Sequence, residues 1–230
     1  MKLLCISDTH TRHRELDLIG VEVDVVVHAG DFMSTGYNAG ELHDFLSWAE
    51  NLIFDGVCRH FVMIAGNHDR IFEENPFLAK EIVDMYATNI NYLQDEELVI
   101  DGIKFYGSPW TPEFCGWAFA LPKDPRSAEE RFARIPNNTD VIISHGPAFG
   151  ILDKIVHPVS PNASKEHLGC KQLRDAIERV NPKLHICGHI HSSNGILDGY
   201  GEITTHINAS CLDESYGFGN KQNYIEWEVK

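Results

Sequence analysis

Five clusters of metal-ligating side chains punctuate this sequence, and each one follows an apolar run. Asp8-Thr9-His10 follows Lys2 to Ser7, Gly30-Asp31 follows the β-branched stretch from Asp24 to Val27, and Gly66-Asn67-His68-Asp69 follows Phe61 to Ala65. His145-Gly146 follows Val141 to Ser144, and Gly188-His189-Ile190-His191 follows Leu184 to Cys187. A single Asp-x-His or Gly-Asp at a strand end is usually a turn or a cap. Five such pieces at five run ends point to one site whose carboxylate, amide and imidazole donors suit divalent cations of borderline hardness.

The elements that position these side chains are read from the runs themselves. The runs lack polar alternation, so they predict strands buried on both faces, with Gly30 turning the backbone sharply where its strand stops. Ligands collect at the C-terminal edge of open α/β sheets. If the five strands lie side by side in one sheet, their loops gather Asp8, His10, Asp31, Asn67, His145, His189 and His191 into one pocket. A short amphipathic segment is expected from Glu15 to Ile19. A helix is expected from Ala39 to Gly56, where Leu42, Phe45, Leu46, Ala49, Leu52 and Ile53 recur at three- and four-residue steps. Asn75-Pro76 reads as a capped helix start with Phe77, Leu78, Ile82, Val83 and Tyr86 on its apolar face. Asp101-Gly102 reads as the type I′ turn of a hairpin from Glu97 to Tyr106. Further helices are expected from Ser127 to Arg134 and from Cys170 to Val180, with closing strands near Ile203 to Ile207 and Tyr224 to Val229. The fold class is therefore α/β, with two packed mixed β-sheets flanked by helices.

The chain has 230 residues, enough for one hydrophobic core, and no linker, repeat or low-complexity tract divides it, so one domain over 1–230 is expected. A formal net charge of −15 disfavours long nucleic acids, whose binding surfaces are rich in Lys and Arg, but leaves room for a small phosphorylated substrate met by bound cations. No apolar run reaches the ~18 residues of a membrane span, and no secretory leader opens the chain. Six cysteines without a paired motif read as buried free thiols, so the expected location is cytoplasmic. Asn-x-Ser/Thr patterns at Asn137, Asn162 and Asn208 then carry no meaning.

The ordered set Asp-x-His, Gly-Asp, Gly-Asn-His-Asp, Ser-His-Gly and Gly-His-x-His resembles the calcineurin-like metallophosphoesterase superfamily, with its α/β/β/α sandwich. Asp8-Thr9-His10, His28-Ala29-Gly30-Asp31, Gly107-Ser108-Pro109-Trp110-Thr111-Pro112 and Ser144-His145-Gly146-Pro147 are similar to its branch of small metallophosphoesterase-domain proteins and class III cyclic nucleotide phosphodiesterases. Carried over by motif, the resemblance puts Asp8, His10, Asp31 and His191 on one metal and Asp31, Asn67, His145 and His189 on a second, bridged by Asp31. It implies hydrolysis of phosphodiesters, cyclic nucleotides among them, by a hydroxide bridging the two ions. Two divalent cations bring four positive charges and the two aspartates return two, leaving a positive site for a phosphate ester. Mn²⁺ is the leading expectation, with Fe, Zn, Ni or Co as alternatives. His68 carries no metal in this pattern and is expected to act at the leaving oxygen, with Asp69 orienting it. A broad phosphatase or short-oligonucleotide nuclease, and a catalytically silent scaffold of the same fold, are the competing readings.

Outside the motifs, His13 is a candidate substrate contact, and Trp110 and Trp117 are candidate stacking faces for a nucleobase. His43, His60, His157, His167 and His185 are read as surface or packing residues. His28 is read as either an orienting donor or a core histidine, and His206 similarly. Asp95, Glu96 and Glu97 are read as a solvated turn.

Overall fold

The computed structural model describes residues 1–155, 166–199, 204–219 and 224–229, so His157, Asn162 and Ile203 lie outside the described residues. The chain opens with β1 (Lys2–Ile6), β2 (Val25–His28), α1 (Ala39–Phe54), β3 (His60–Met63), the single turn α2 (Ile71–Glu74), α3 (Pro76–Val83) and β4 (Ile90–Tyr92). It continues with β5 (Glu96–Ile100), β6 (Ile103–Ser108), β7 (Thr111–Pro112), β8 (Ala120–Leu121), α4 (Pro125–Phe132) and β9 (Val141–Ser144). It closes with α5 (Lys171–Val180), β10 (Leu184–Cys187), β11 (Gly195–Leu197), β12 (Thr205–Asn208) and β13 (Ile225–Glu228).

These strands form two mixed sheets, ordered β13-β1-β2-β3-β4 and β11-β12-β10-β9-β6-β5, while β7 pairs with β8 apart from both. The five motif strands therefore do not share one sheet, as the sequence led us to expect. β1, β2 and β3 run parallel in the first, and β9 and β10 run parallel in the second. What brings their loops together is a junction between the sheets. Just beyond β1 and β12, Ser7 bridges Ser210 in parallel, and the amide of Cys211 donates to the Ser7 carbonyl at 2.8 Å.

Three apolar layers explain why the strand sequences are continuous rather than alternating. Leu3, Cys5, Val25, Val27 and Val62 face Phe105, Val141, Ile143, Ile186 and Ile207 between the sheets. Leu4, Ile6, Val26, Phe61 and Met63 point the other way, under Leu42, Phe45, Leu46 and Ala49 of α1. On the far side Tyr106 and Ile142 lie under Phe132 of α4 and Leu173, Ala176 and Ile177 of α5. The strands that carry the motifs, β1, β2, β3, β9 and β10, are thus covered on both faces, as a hydrophobic run without polar alternation requires. Phe45 stacks on Phe32 at 4.2 Å and 10°, worth ~0.5–1.5 kcal/mol beyond the area it buries.

Local chemistry sets most element ends. Asn38 and Asn75 cap α1 and α3 by accepting from the amides of Gly40 and Leu78, and Pro76 occupies the first turn of α3. Asp101 and Gly102 both adopt positive φ (48° and 83°), as a type I′ turn requires. Two expectations need correcting. The segment near Glu15 to Ile19 is only a 3₁₀ turn over His13–Glu15, with Ile19 exposed. The helix from Pro76 turns Ala79 and Ile82 inward and leaves Phe77 exposed.

Candidate metal centre and active site

The loop after β1 is held against the loop after β2 by three backbone hydrogen bonds: Asp8 to Gly30 at 2.9 Å, His10 to Asp31 at 3.0 Å and Thr11 to Phe32 at 2.9 Å. Asp8, His10, Thr11, Asp31 and His189 all take positive φ, between 40° and 68°, a region that non-glycine residues enter at a cost. Clustering that cost here means the surrounding contacts enforce one arrangement of the site. His28 contributes from below, joining Thr9 Oγ1 at 3.0 Å and accepting the Gly30 amide at 3.2 Å while packing edge-on against Phe45. It therefore combines the orienting and core roles that the sequence left open.

All seven predicted donors come together. Asp8, His10 and His191 form one group, and Asp31, His145 and His189 another, with the donor atoms of each group within 4.8 Å of one another. Asn67 joins the second group through its Oδ1, 2.9 Å from His145 Nε2. Asp31 Oδ2 reaches both sides, 3.9 Å from His10 Nε2 and 3.3 Å from His145 Nε2. Asp8 accepts from the His189 amide at 2.9 Å and from Ser210 Oγ at 2.8 Å, and lies 3.5 Å from His191 Nε2.

The imidazoles are oriented from behind. His10, His145 and His191 each donate Nδ1–H to a backbone carbonyl, those of Met33, Ala29 and Asp213 at 3.2, 2.9 and 3.0 Å. Each therefore presents Nε2 to the carboxylates, the pattern by which proteins fix metal-ligating histidines. With its Nδ1 proton committed to Ala29, a neutral His145 has only a lone pair at Nε2, and that lone pair faces the oxygens of Asn67 and Asp31. Three acceptors converging in this way need a proton or a cation among them. Burial lowers the proton affinity of His145, but Asp31 overrides this and raises its pKa to about 9. His10 Nε2 is buried without a hydrogen-bond partner. Divalent cations fit this donor set.

The sequence model of the calcineurin-like phosphoesterase family matches residues 1–193. This chain belongs to that family. It is 34% identical to human metallophosphoesterase domain-containing protein 1, over 94% of this chain and 67% of that one. It is 32% identical to a Caenorhabditis elegans UPF0046 protein, over 98% of this chain and 72% of that one. Two solved structures share the fold. One has a TM-score of 0.61 and 19% identity over 90% of this chain and 89% of its own. A Thermus thermophilus protein has a TM-score of 0.62 and 12% identity, with 90% and 88% covered. Calcineurin-like phosphoesterases are metal-dependent hydrolases, and the family binds divalent metals.

In this phosphoesterase the donors open onto a cleft of about 380 Å³, walled by Phe114, Trp117, Ile155, Leu168 and Tyr216, with Glu113 and Glu214 at its rim. His68 borders the cleft, its donor atom grouped with those of His10 and Asp31. Its Nδ1 donates to the Ser34 carbonyl at 2.5 Å and its ring stacks on Trp117.

Four readings of individual residues change. Asp69 does not orient His68: its buried carboxylate accepts the amides of Asp31, Met33 and Gly66 at 2.8, 2.9 and 2.7 Å, clamping the loops after β2 and β3 together. Burial and the neighbouring Asp31 charge raise its proton affinity. His13 is no substrate contact, being fully buried between Phe45 and Trp48. Trp110 is withdrawn from the cleft. Its Nε1 donates to Asp95 at 3.1 Å, the Arg131 guanidinium lies 3.5 Å from its ring, and Phe119 meets it edge-on. Asp95, expected to be solvated, accepts from Ser108, Trp110 and Arg131.

Sequence reasoning missed Asn208, Ser210, Asp213 and Tyr216. Asn208 Nδ2 donates to the Ile190 carbonyl at 3.0 Å and its Oδ1 accepts from Ser210, bracing the Gly-His-x-His loop. Tyr216 lies edge-on to His10 and His191, at 4.8 and 5.4 Å. The only signal for this group was the Asn208-Ala209-Ser210 stretch at the end of a strand.

Proposed function

We propose that this chain is a single-domain phosphodiesterase that hydrolyses small phosphodiesters, cyclic nucleotides among them. In this reading it uses two divalent ions, with Mn²⁺ the leading choice for activity. Asp8, His10, Asp31 and His191 would hold one ion, and Asp31, Asn67, His145 and His189 the other. The observation that carries this reading is the convergence of His145 Nε2, Asn67 Oδ1 and Asp31 Oδ2, with Asp31 Oδ2 also facing His10. When bound, such a pair supplies the charge that polarises a phosphoryl oxygen and acidifies water.

The chain's own groups do the rest. The carbonyls of Ala29, Met33 and Asp213 keep three imidazoles in the tautomer that presents Nε2. His68, with Nδ1–H committed to Ser34, would in its imidazolium form have Nε2–H left to donate to the leaving oxygen. The apolar walls of the cleft favour a diester, which carries one charge and two ester groups, over a doubly charged monoester. Free thiols at all six cysteines, five of them buried, support a cytoplasmic setting.

The test is a panel of esters with protein stripped by chelator and reloaded with Mn²⁺. We expect bis(p-nitrophenyl) phosphate and a cyclic nucleotide to be hydrolysed faster than p-nitrophenyl phosphate, with activity lost to the chelator and restored by the metal. Equal or faster monoester turnover would make the chain a phosphatase. Two bound metals without turnover of any ester would make it a scaffold.

A further inference from the structure

Among the described residues the His68 side chain makes one hydrogen bond, from Nδ1 to Ser34, which leaves the tilt of the ring undetermined. The missing constraint comes from a distant segment of the chain. The indole of Trp117 lies nearly parallel to the imidazole, with centroids 4.0 Å apart and an interplanar angle of 21°. His10 meets the same imidazole edge-on at 4.7 Å.

Trp117 is itself held. The Arg70 guanidinium lies 4.9 Å over its ring, and Arg70 Nη2 donates to the Gly116 carbonyl at 2.9 Å. The amide of Ala118 donates to Asn67 at 3.2 Å, and that of Phe119 to Glu73 Oε2 at 3.1 Å. The loop around Trp117, between β7 and β8, is thus docked on the Asn67-His68 turn by backbone and side-chain bonds on both sides of the indole. An aromatic that only packed the cleft wall would not need such a mount, and an indole offered to a nucleobase would not have its face against the imidazole.

We propose that Trp117 is a positioning residue: with Arg70 behind it, it fixes the plane of the His68 ring so that Nε2 faces the leaving oxygen of the phosphoester. This rests on the reading of His68 given above. In the step concerned, an oxygen from water forms a bond to phosphorus as the P–O bond to the leaving group breaks, that bond's electron pair stays on the leaving oxygen, and Nε2–H of the His68 imidazolium supplies its proton, so the products are a phosphomonoester, an alcohol and a neutral imidazole.

The experiment uses the metal-loaded full chain and its His68→Ala, Trp117→Ala, Trp117→Phe and Arg70→Gln variants, with the His68→Ala/Trp117→Ala double variant. Substrates are phosphodiesters whose leaving groups range from p-nitrophenol to an alkyl alcohol. His68→Ala is expected to lose ~10²–10⁴-fold in kcat on the alkyl ester and far less on the nitrophenyl ester. Trp117→Ala should follow the same leaving-group pattern with a loss of about 10–100-fold and an unchanged KM, as expected for a misplaced catalytic group. Trp117→Phe should recover most of it, and Arg70→Gln should show a weaker form of the same pattern. In the His68→Ala background, Trp117→Ala should do nothing further. In the metal-free protein, the ring-current shift of the His68 ring protons should disappear in Trp117→Ala and persist in Trp117→Phe. Uniform losses across leaving groups in Trp117→Phe and Arg70→Gln, or additive losses in the double variant, would overturn the proposal while leaving the role of His68 intact. A KM effect confined to nucleotides would overturn it in favour of base stacking. A leaving-group-independent response in His68→Ala would overturn both readings together.

Discussion

Asp31 is the residue on which the two donor groups depend, because a single oxygen, Oδ2, faces His10 on one side and His145 on the other. Its other oxygen accepts the His68 amide at 2.7 Å, so the same carboxylate also sets the backbone of the neighbouring motif. Burial would raise its pKa, but the charges of His145 and His10 win and hold it ionised. Asp8, by contrast, serves one group only, with His191 at 3.5 Å. Asp31→Asn should therefore weaken both cation positions, by at least the ~10–100-fold that losing even an outer partner costs, whereas Asp8→Asn should empty mainly one. Metal analysis of the purified variants checks this, with two ions expected for the parent, about one for Asp8→Asn and fewer for Asp31→Asn. Full occupancy in Asp31→Asn would remove Asp31 from the bridging position.

At the scale of elements, the strand ends were legible because a buried strand has no choice of composition. The runs ending at Ser7, Val27, Ser144 and Cys187 could be placed to within a residue or two, and the ligand clusters followed as what lay just beyond them. Sheet membership was not legible, since β-branched runs covered on both faces look alike whichever sheet they join. The partners Asn208, Ser210 and Tyr216 were illegible for a different reason: they act on residues distant in sequence, Ile190, Asp8, His10 and His191, which no local pattern records. The glycines in the motifs show how tight that junction is. A Cβ on Gly66 would sit 2.3 Å from Asp31 Oδ1 and 2.6 Å from both the Asp31 amide nitrogen and His145 Cε1. Two of these neighbours are a backbone atom and a fixed ring, so neither can swing away. Gly66→Ala is expected to lower stability by ~1–3 kcal/mol, as overpacking does, and to cost metal at the Asn67 and His145 position first. Urea unfolding of the metal-free protein separates the two effects, because the stability loss should persist there.

For the whole molecule, the fold holds several histidines that must stay neutral to stay inside. His13 is enclosed by Phe45 and Trp48. Its Nε2 lies 3.1 Å from Asp44 Oδ2, Arg14 is nearby, and burial lowers its pKa to about 4. His185 and His206 form a buried pair, Nδ1 to Nδ1 at 3.1 Å, with Ser144 on the far side of His185. Burial drives His185 well below its ordinary value and His206 to about 4, and the charge of Arg174 adds to the shift at His206. None of the three belongs to the candidate donor groups, so their effect should show in metal-free protein. The sign follows from proton counting: near pH 6.5 the unfolded chain begins to protonate these histidines while the folded chain does not, so unfolding takes up protons. Stability should be fully present above pH 6.5 and fall as pH drops toward 4, by up to ~1.4 kcal/mol per histidine per pH unit. The expected measurement is a urea midpoint that declines steeply between pH 6.5 and 4.5, with the decline shallower in His206→Gln and in His13→Gln even if both variants are less stable at pH 7. A midpoint flat across that window, or an unchanged slope in both variants, would show that the molecule admits protons to these histidines without unfolding.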